Sequence, residues 1–311
     1  MARYIVRRFA FGLLAVIGAT VVVFALSRAS GDPRYLFVGT GGMGLTQEQW
    51  DALGREMRLD KPVVVQYVLW VGDIARGDFG NSITTQRPVL KVIRDRVGTT
   101  ARLALAAWLF GTVVGIPLGV FSATHRGQFM DYVGRTFALL GQSLPVFWTG
   151  IMFIIIFAVK LEWLPSGGRG EGFAIRNFVL PAIALGWLPA AGYLRLTRSA
   201  MLEVLDSEFI KFARAKGVAE FKVLWKHAFR NAIIIPLTYS ALLLIGFITG
   251  TVVAETVFTL PGIGRLAVDA IWGNDFPVIS TLVLVFSVVY VVVVLFLDIV
   301  YALVDPRIRY T

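Results

Sequence analysis

The sequence predicts an all-helical protein that crosses a membrane six times. Three observations carry that expectation. The 311 residues are 57% apolar and only 16% charged, with a mean hydropathy of +0.72, whereas soluble domains are nearer half apolar and a quarter charged. The apolar residues gather into runs close to the roughly 20 residues that a bilayer-spanning helix needs. The cations collect beside those runs, as membrane topology requires.

The first run covers residues 9–27, carries no charge and follows Arg3, Arg7 and Arg8. It exceeds the apolar core of about 7–15 residues found in a signal peptide, so it reads as a retained span. The others are 100–123, then 137–159 broken by Pro145, 178–194 with Pro181 and Pro189, 232–258 and 278–303. With the N-terminus inside, the inner segments 1–8, 124–136, 195–231 and the C-terminal tail hold fifteen Lys and Arg, against four in the outer loops 160–177 and 259–277. Cytoplasmic N- and C-termini with an even number of spans satisfy the positive-inside rule.

Between the first two runs lies a long outer segment. Thr46 is placed to cap a helix through Arg58, with Glu48 and Asp51 near its positive end. Trp50, Leu53 and Met57 recur at helical spacing, and Lys61-Pro62 is the expected stop. Residues 63–75 and 88–97 read as two further helices, which makes a small helical cap. Residues 39–44 match G-x-G-x-x-G, but no strand precedes them, so they read as a linker.

The inner loop 195–231 carries eight cations: Arg195, Arg198, Lys211, Arg214, Lys216, Lys222, Lys226 and Arg230. Leu205, Phe209 and Phe212 give one apolar helical face. Gly217 interrupts it, and Phe221, Leu224, Trp225, Ala228 and Phe229 form a second stripe. Such a loop suits an anionic lipid surface, simple topological charge, or a groove on a soluble partner. Within the spans, Gly111, Gly115 and Gly119, and again Gly246 and Gly250, allow close helix approach, inside the chain or across a subunit interface. Pro117, Pro145, Pro181 and Pro189 permit broken helices along a cavity. Asp298 is the ionisable residue within an apolar run, with pairing near the inner interface as its ordinary role, and Glu255 suits a structural or gating contact.

Several functions are excluded. Zero Cys rules out a disulfide framework and a thiolate metal site. Two His leave no multi-His metal centre. There is no P-loop, no H-E-x-x-H and no G-x-S-x-G, so catalytic, cofactor-binding and metal-binding residues are expected to be none. The +10 net charge follows topology, and no nucleic acid is expected as a partner. An ion-gradient-driven secondary transporter or channel is the alternative to the reading that follows.

Residues 206–217 (Asp-Ser-Glu-Phe-Ile-Lys-Phe-Ala-Arg-Ala-Lys-Gly), with Lys226-His227-Ala228-Phe229-Arg230-Asn231-Ala232, resemble the membrane permease of binding-protein-dependent ABC importers, in the dipeptide, oligopeptide and nickel branch. The resemblance extends over almost the whole chain. It includes Gly31-Asp32-Pro33, Leu59-Asp60-Lys61-Pro62, Gln66-Tyr67, Arg76-Gly77-Asp78-Phe79-Gly80, Leu164-Pro165-Ser166-Gly167-Gly168, Glu255-Thr256-Val257-Phe258, Leu260-Pro261-Gly262-Ile263-Gly264-Arg265 and Asp305-Pro306-Arg307-Ile308-Arg309-Tyr310. The general permease motif places Glu-Ala-Ala ahead of the glycine. Here those positions hold Lys211, Phe212 and Ala213, in keeping with the Ala-Arg-Ala-Lys-Gly version of the peptide branch.

The resemblance implies a type I ABC importer permease fold, six transmembrane helices with a helical extracytoplasmic cap. It divides the chain into 1–28 (N-terminus and first span), 29–98 (cap) and 99–311 (core permease domain, coupling loop about 201–231). It implies no enzymatic activity in this chain, with ATP and Mg bound by partner subunits. It further implies a second permease subunit in a heterodimer, two ABC ATPase subunits, an extracytoplasmic substrate-binding protein, and a bacterial or archaeal inner membrane. ATPase coupling would fall to Glu208, Phe209, Phe212, Ala213, Arg214, Ala215, Lys216 and Gly217. Gating or binding-protein contact would fall to Glu255, Pro261, Gly262, Gly264 and Arg265. Peptides or similar small solutes are the implied cargo.

Overall fold

A computed structural model describes residues 2–29, 34, 46–168 and 175–304. The glycine-rich stretch 39–44, Gly31-Asp32-Pro33, the C-terminal motif 305–310 and the Asp298 side chain lie outside what it describes. The described residues form helices, apart from one isolated antiparallel bridge between Asn81 and Pro88.

The helices are α1 (Ala2–Ala29), α2 (Gln47–Glu56), α3 (Val63–Ala75), α4 (Val89–Thr124), α5 (Phe129–Ser143), α6 (Val146–Phe153, continued as a wide π-turn over Ile154–Lys160), α7 (Arg176–Leu205), α8 (Glu208–Ala215), α9 (Glu220–Lys222), α10 (Arg230–Ala232), α11 (Ile234–Val257), α12 (Ile263–Trp272) and α13 (Phe276–Val304). A second π-turn, Val223–Phe229, joins α9 to α10. Among the described residues, α1, α4, α7 and α13 contain segments long and apolar enough to cross a membrane, and α5 with α6 adds a fifth if the pair is one span. The 24-residue α11 covers the expected run 232–258.

The structure adds detail to four of the expected segments. The run 137–159 is not one helix: α5 and α6 meet at 108°, because Pro145 starts α6 and holds its predecessor out of helical geometry. The expected cap helix 88–97 and the span 100–123 are one 36-residue helix, α4. At 1.5 Å per residue it is about 54 Å long, well beyond a hydrocarbon core of about 30 Å. The outer loop 259–277 contains α12. Finally, α2 stops at Glu56, ahead of Lys61-Pro62, where Arg58 takes a φ of 57°. Its start is as expected: the Thr46 hydroxyl accepts the Gln49 N–H at 3.3 Å and the Gln49 side chain accepts the Thr46 N–H at 2.9 Å, a capping box.

The chain divides into two units, Met1–Val97 with Leu266–Thr311, and Gly98–Arg265. In the first, α1 packs on α13, close enough at Gly12 that a Cβ there would lie 2.5 Å from a Val291 methyl. Helix α3 lies against α1 through Phe24, whose ring meets Tyr67 and Trp70 at 5.5 and 5.6 Å, and through a Thr20–Tyr67 hydroxyl pair at 3.0 Å. The buried Asp275 carboxylate accepts the Ser82 hydroxyl and the N–H groups of Ile83 and Thr84, both at 3.1 Å, and so ties down the loop before α4.

In the second unit α7 is central. Its most apolar window is 72% buried, against 11% for α1. Helix α4 meets it backbone to backbone: a Cβ on Gly115 would stand 2.5 Å from the Ala190 carbonyl oxygen, and one on Gly119 would stand 2.6 Å from Thr197 Cβ. The stripe at 111, 115 and 119 therefore packs within the chain. Gly246 has no atom within 4 Å of its Cβ position. Pro181 and Pro189 sit inside α7, where neighbouring protein rather than lipid surrounds the interrupted hydrogen bonding.

Candidate functional site

The loop 195–231 is organised around Ile210. Helix α7 ends at Leu205 and α8 begins at Glu208, so Leu205, Phe209 and Phe212 do not share one helical face. The buried residue of α8 is Ile210, fully enclosed in a cluster with Val120 and Ala123 from the end of α4, Met201 from α7, and Val223 and Ala228. Phe209 and Phe212 point away from that cluster and are 48% and 61% exposed. The break is legible in hindsight: Ser207 occupies the N-cap position and Glu208 the first turn.

The other expected coupling residues lie on the same short helix or in the turn that caps it. Glu208 pairs with Lys211 at 2.8 Å. Ala213 is half-buried against the Ile210 cluster, and Ala215 is exposed. Lys216 lies over the Phe212 ring, 4.5 Å from its centroid. Arg214 meets Glu220 with two hydrogen bonds, at 2.7 and 3.2 Å. This guanidinium holds the Glu220 carboxyl below its ordinary value. Gly217 has φ +73°. Its N–H bonds to the Arg214 carbonyl at 2.9 Å, and the Val218 N–H bonds to the Ala213 carbonyl at 3.3 Å, the pairing of a Schellman C-cap. The chain reverses there and α9 returns toward α8. What results is an exposed wedge, with two aromatic rings among cations, seated on the ends of α4 and α7.

The motif at 255–265 forms a second cluster. The Glu255 carboxylate is fully buried. It accepts the Thr100 hydroxyl at 2.6 Å and the Arg265 N–H at 2.9 Å, while the Thr100 hydroxyl oxygen accepts the Ile263 N–H at 2.8 Å. The carboxylate thus caps the N-terminus of α12, where unpaired N–H groups favour negative charge. Gly262 leaves the space for it, since a Cβ there would collide with the carboxylate. Gly167 likewise makes room for the Phe258 carbonyl, and Asn177 holds the carbonyls of Gly167 and Gly168 at 3.3 and 3.0 Å. Glu255, Gly262 and Gly264 are buried, whereas Pro261 and Arg265 are half-exposed. In this conformation the first three are enclosed, and the exposed surface of the motif comes from Pro261 and Arg265. Sequence reasoning did not single out Thr100, Ile210 or Asp275, because each sits in a run whose composition is unremarkable.

The model of the family described as the binding-protein-dependent transport system inner membrane component matches residues 115–310. The chain belongs to that family. It is 38% identical over 320 residues to the oligopeptide transport system permease protein AppB of Bacillus subtilis (strain 168), with both chains covered in full. It is 37% identical over 336 residues to the di/tripeptide transport system permease protein DppB of Pseudomonas aeruginosa, covering 100% of this chain and 99% of that one. A chain of the inward-facing MetNI methionine ABC transporter superposes with a TM-score of 0.57 at 19% identity, covering 70% of this chain and 98% of its own. That likeness carries the fold. The inner membrane component reading thereby displaces the solitary secondary transporter or channel.

Proposed function

We propose that this inner membrane component is one of two permease subunits of an ABC importer for peptides or similar small solutes, and that α8 transmits the ATPase stroke. The observation that carries the proposal is the two-sided character of α8: Ile210 is anchored on the ends of α4 and α7, while Phe209 and Phe212 stand exposed among cations. Such a helix fits a groove on a partner through its aromatic face. Motion of the partner would pass through Ile210 to α4 and α7, as a rigid-body switch between inward-facing and outward-facing states. The full-length likeness to peptide permeases supports the cargo class.

On this reading a second permease completes a heterodimer, and two ABC ATPase subunits bind the ATP and Mg. A binding protein delivers cargo outside, onto the cap 29–98 and the exposed parts of 255–277. The N- and C-termini are cytoplasmic, and Glu255 with its glycines acts as a gating hinge rather than a docking surface. The organisation is 1–28, 29–98 and 99–311.

The test is co-purification of the tagged chain in mild detergent with its ATPase and permease partners, followed by reconstitution. Phe209→Glu is expected to abolish binding-protein-stimulated ATP hydrolysis while the chain stays folded. Retained stimulation in that variant would overturn the coupling role. Uptake that follows an ion gradient and ignores ATP would overturn the importer itself.

A further inference from the structure

We propose that the pocket between α5 and α7 binds the phosphate headgroup of an anionic phospholipid. The cavity measures about 450 Å³, within the range of about 300–1,000 Å³ usual for ligand sites. Its polar lining comes from Arg135, Arg195, Arg198, Ser199 and Gln142, and no Asp or Glu lines it. Asp131 nearby is already engaged and neutralises Arg198, one of the three lining cations. Its two carboxylate oxygens accept Arg198 Nε at 2.8 Å and Nη2 at 2.9 Å, the Ser122 hydroxyl at 2.6 Å and the Gly127 N–H at 3.0 Å. Arg135 has the Tyr132 ring as neighbour at 5.8 Å, and neither it nor Arg195 is in an ion pair among the described residues. The pocket therefore presents two positive charges with no internal counter-charge. The Gln142 amide nitrogen is buried with no hydrogen-bond partner, which supplies a further donor.

The position selects a lipid over a soluble anion. Arg135 lies just ahead of the apolar run 137–159, and Arg195 and Arg198 lie just after the run 178–194. Helix α5 enters the apolar zone as α7 leaves it, so all three cations stand at one water–hydrocarbon boundary. Beside them, Leu139 is exposed and lines the same cavity, and Leu140 and Val133 are exposed on α5. A basic rim over an apolar wall matches a phosphate with acyl chains below it. Basic pockets between membrane helices are known to hold anionic headgroups in this way. Free phosphate would use the rim and leave the wall bare.

The experiment uses the full chain, stripped of lipid in detergent, with its thermal unfolding followed as ligand is added. Short-chain phosphatidylglycerol is expected to raise Tm, and phosphatidylcholine is expected not to. The Arg135→Gln/Arg195→Gln double variant should need roughly tenfold more phosphatidylglycerol for the same shift, the loss expected for a charge-assisted contact. Both side chains are exposed, so the lipid-free Tm should barely move. The Arg135→Lys/Arg195→Lys pair keeps the charge and should retain most of the shift, which guards against a folding artefact. An equal response of the wild type and the Gln double variant would overturn the proposal. Equal protection of the wild type by inorganic phosphate or by a free dipeptide would also overturn it, since the ligand would then be a soluble anion.

Discussion

Replacing Ile210 by Ala empties the enclosed position beneath α8 and is expected to cost about 2–5 kcal/mol, as large-to-small changes in packed sites do. Phe212→Ala, on the exposed side of the same helix, should leave unfolding midpoints nearly unchanged and lower stimulated ATP hydrolysis. Denaturation and ATPase assays on the two variants separate the anchor from the docking face. Gly217→Ala should cost roughly 1–2 kcal/mol, because φ +73° brings a Cβ against the neighbouring carbonyl. At the outer cluster, Glu255→Ala leaves the Arg265 N–H and the Thr100 hydroxyl short of an acceptor in a buried site, at an expected cost of about 1–3 kcal/mol. Glu255→Gln keeps an acceptor oxygen and should cost less. The Arg214–Glu220 pair gives a pH dependence with a fixed sign. The folded chain holds the Glu220 carboxyl below its ordinary value, so the pair's contribution is complete above that ordinary value and is lost as pH falls through the lowered one. Both side chains are about half exposed, so the effect is small. A pH titration of thermal stability should lose this acid limb in Glu220→Gln.

At the scale of elements, the seam between α4 and α7 is a close backbone approach. Gly115→Ala puts a methyl 2.5 Å from the Ala190 carbonyl oxygen, so the helices must separate, at a cost of about 1–3 kcal/mol. Gly246→Ala meets nothing within 4 Å and should be neutral or slightly stabilising through helix propensity. Comparing the two Tm values tests the seam. The stripe itself was legible in the sequence, because spacing by four announces a close approach, although not which helix would approach. Five of the six apolar runs likewise located long helices, α1, α4, α7, α11 and α13. Breaks were harder to read. Pro145 was visible, but whether it gives a kink or two helices at 108° depends on what packs around it. The fusion of 88–97 with 100–123 was hidden because Gly98-Thr99-Thr100 looks like a boundary, yet Thr100 works from inside α4 as the partner of Glu255. The helix proposed to couple, α8, could be located from its motif. Its buried side could not, since an exposed Phe and a buried Ile are equally apolar on paper.

At the scale of the molecule, three carboxylates fasten loops to helices: Asp131 the turn before α5, Asp275 the loop before α4, and Glu255 the start of α12. Each satisfies backbone N–H groups in place of water. The pairing of α1 with α13 can be tested directly in this chain, which has no Cys of its own. A Cβ built on Gly12 lies 3.6 Å from Val291 Cβ, inside the range of about 3.5–4.5 Å for a disulfide. Gly12→Cys with Val291→Cys should therefore crosslink on mild oxidation in membranes, as read from mobility on non-reducing gels, and no bridge would count against that contact. The same pairing has a consequence for biosynthesis. Helix α1 leaves the ribosome well before α13, the helix it packs on, is made. At about 5–20 residues per second, α1 waits in the bilayer on the order of 15–60 s with its glycine face unclaimed. During that interval the nascent chain depends on the insertion machinery, or on a neighbouring subunit, to shield the surface that its own C-terminal helix later covers.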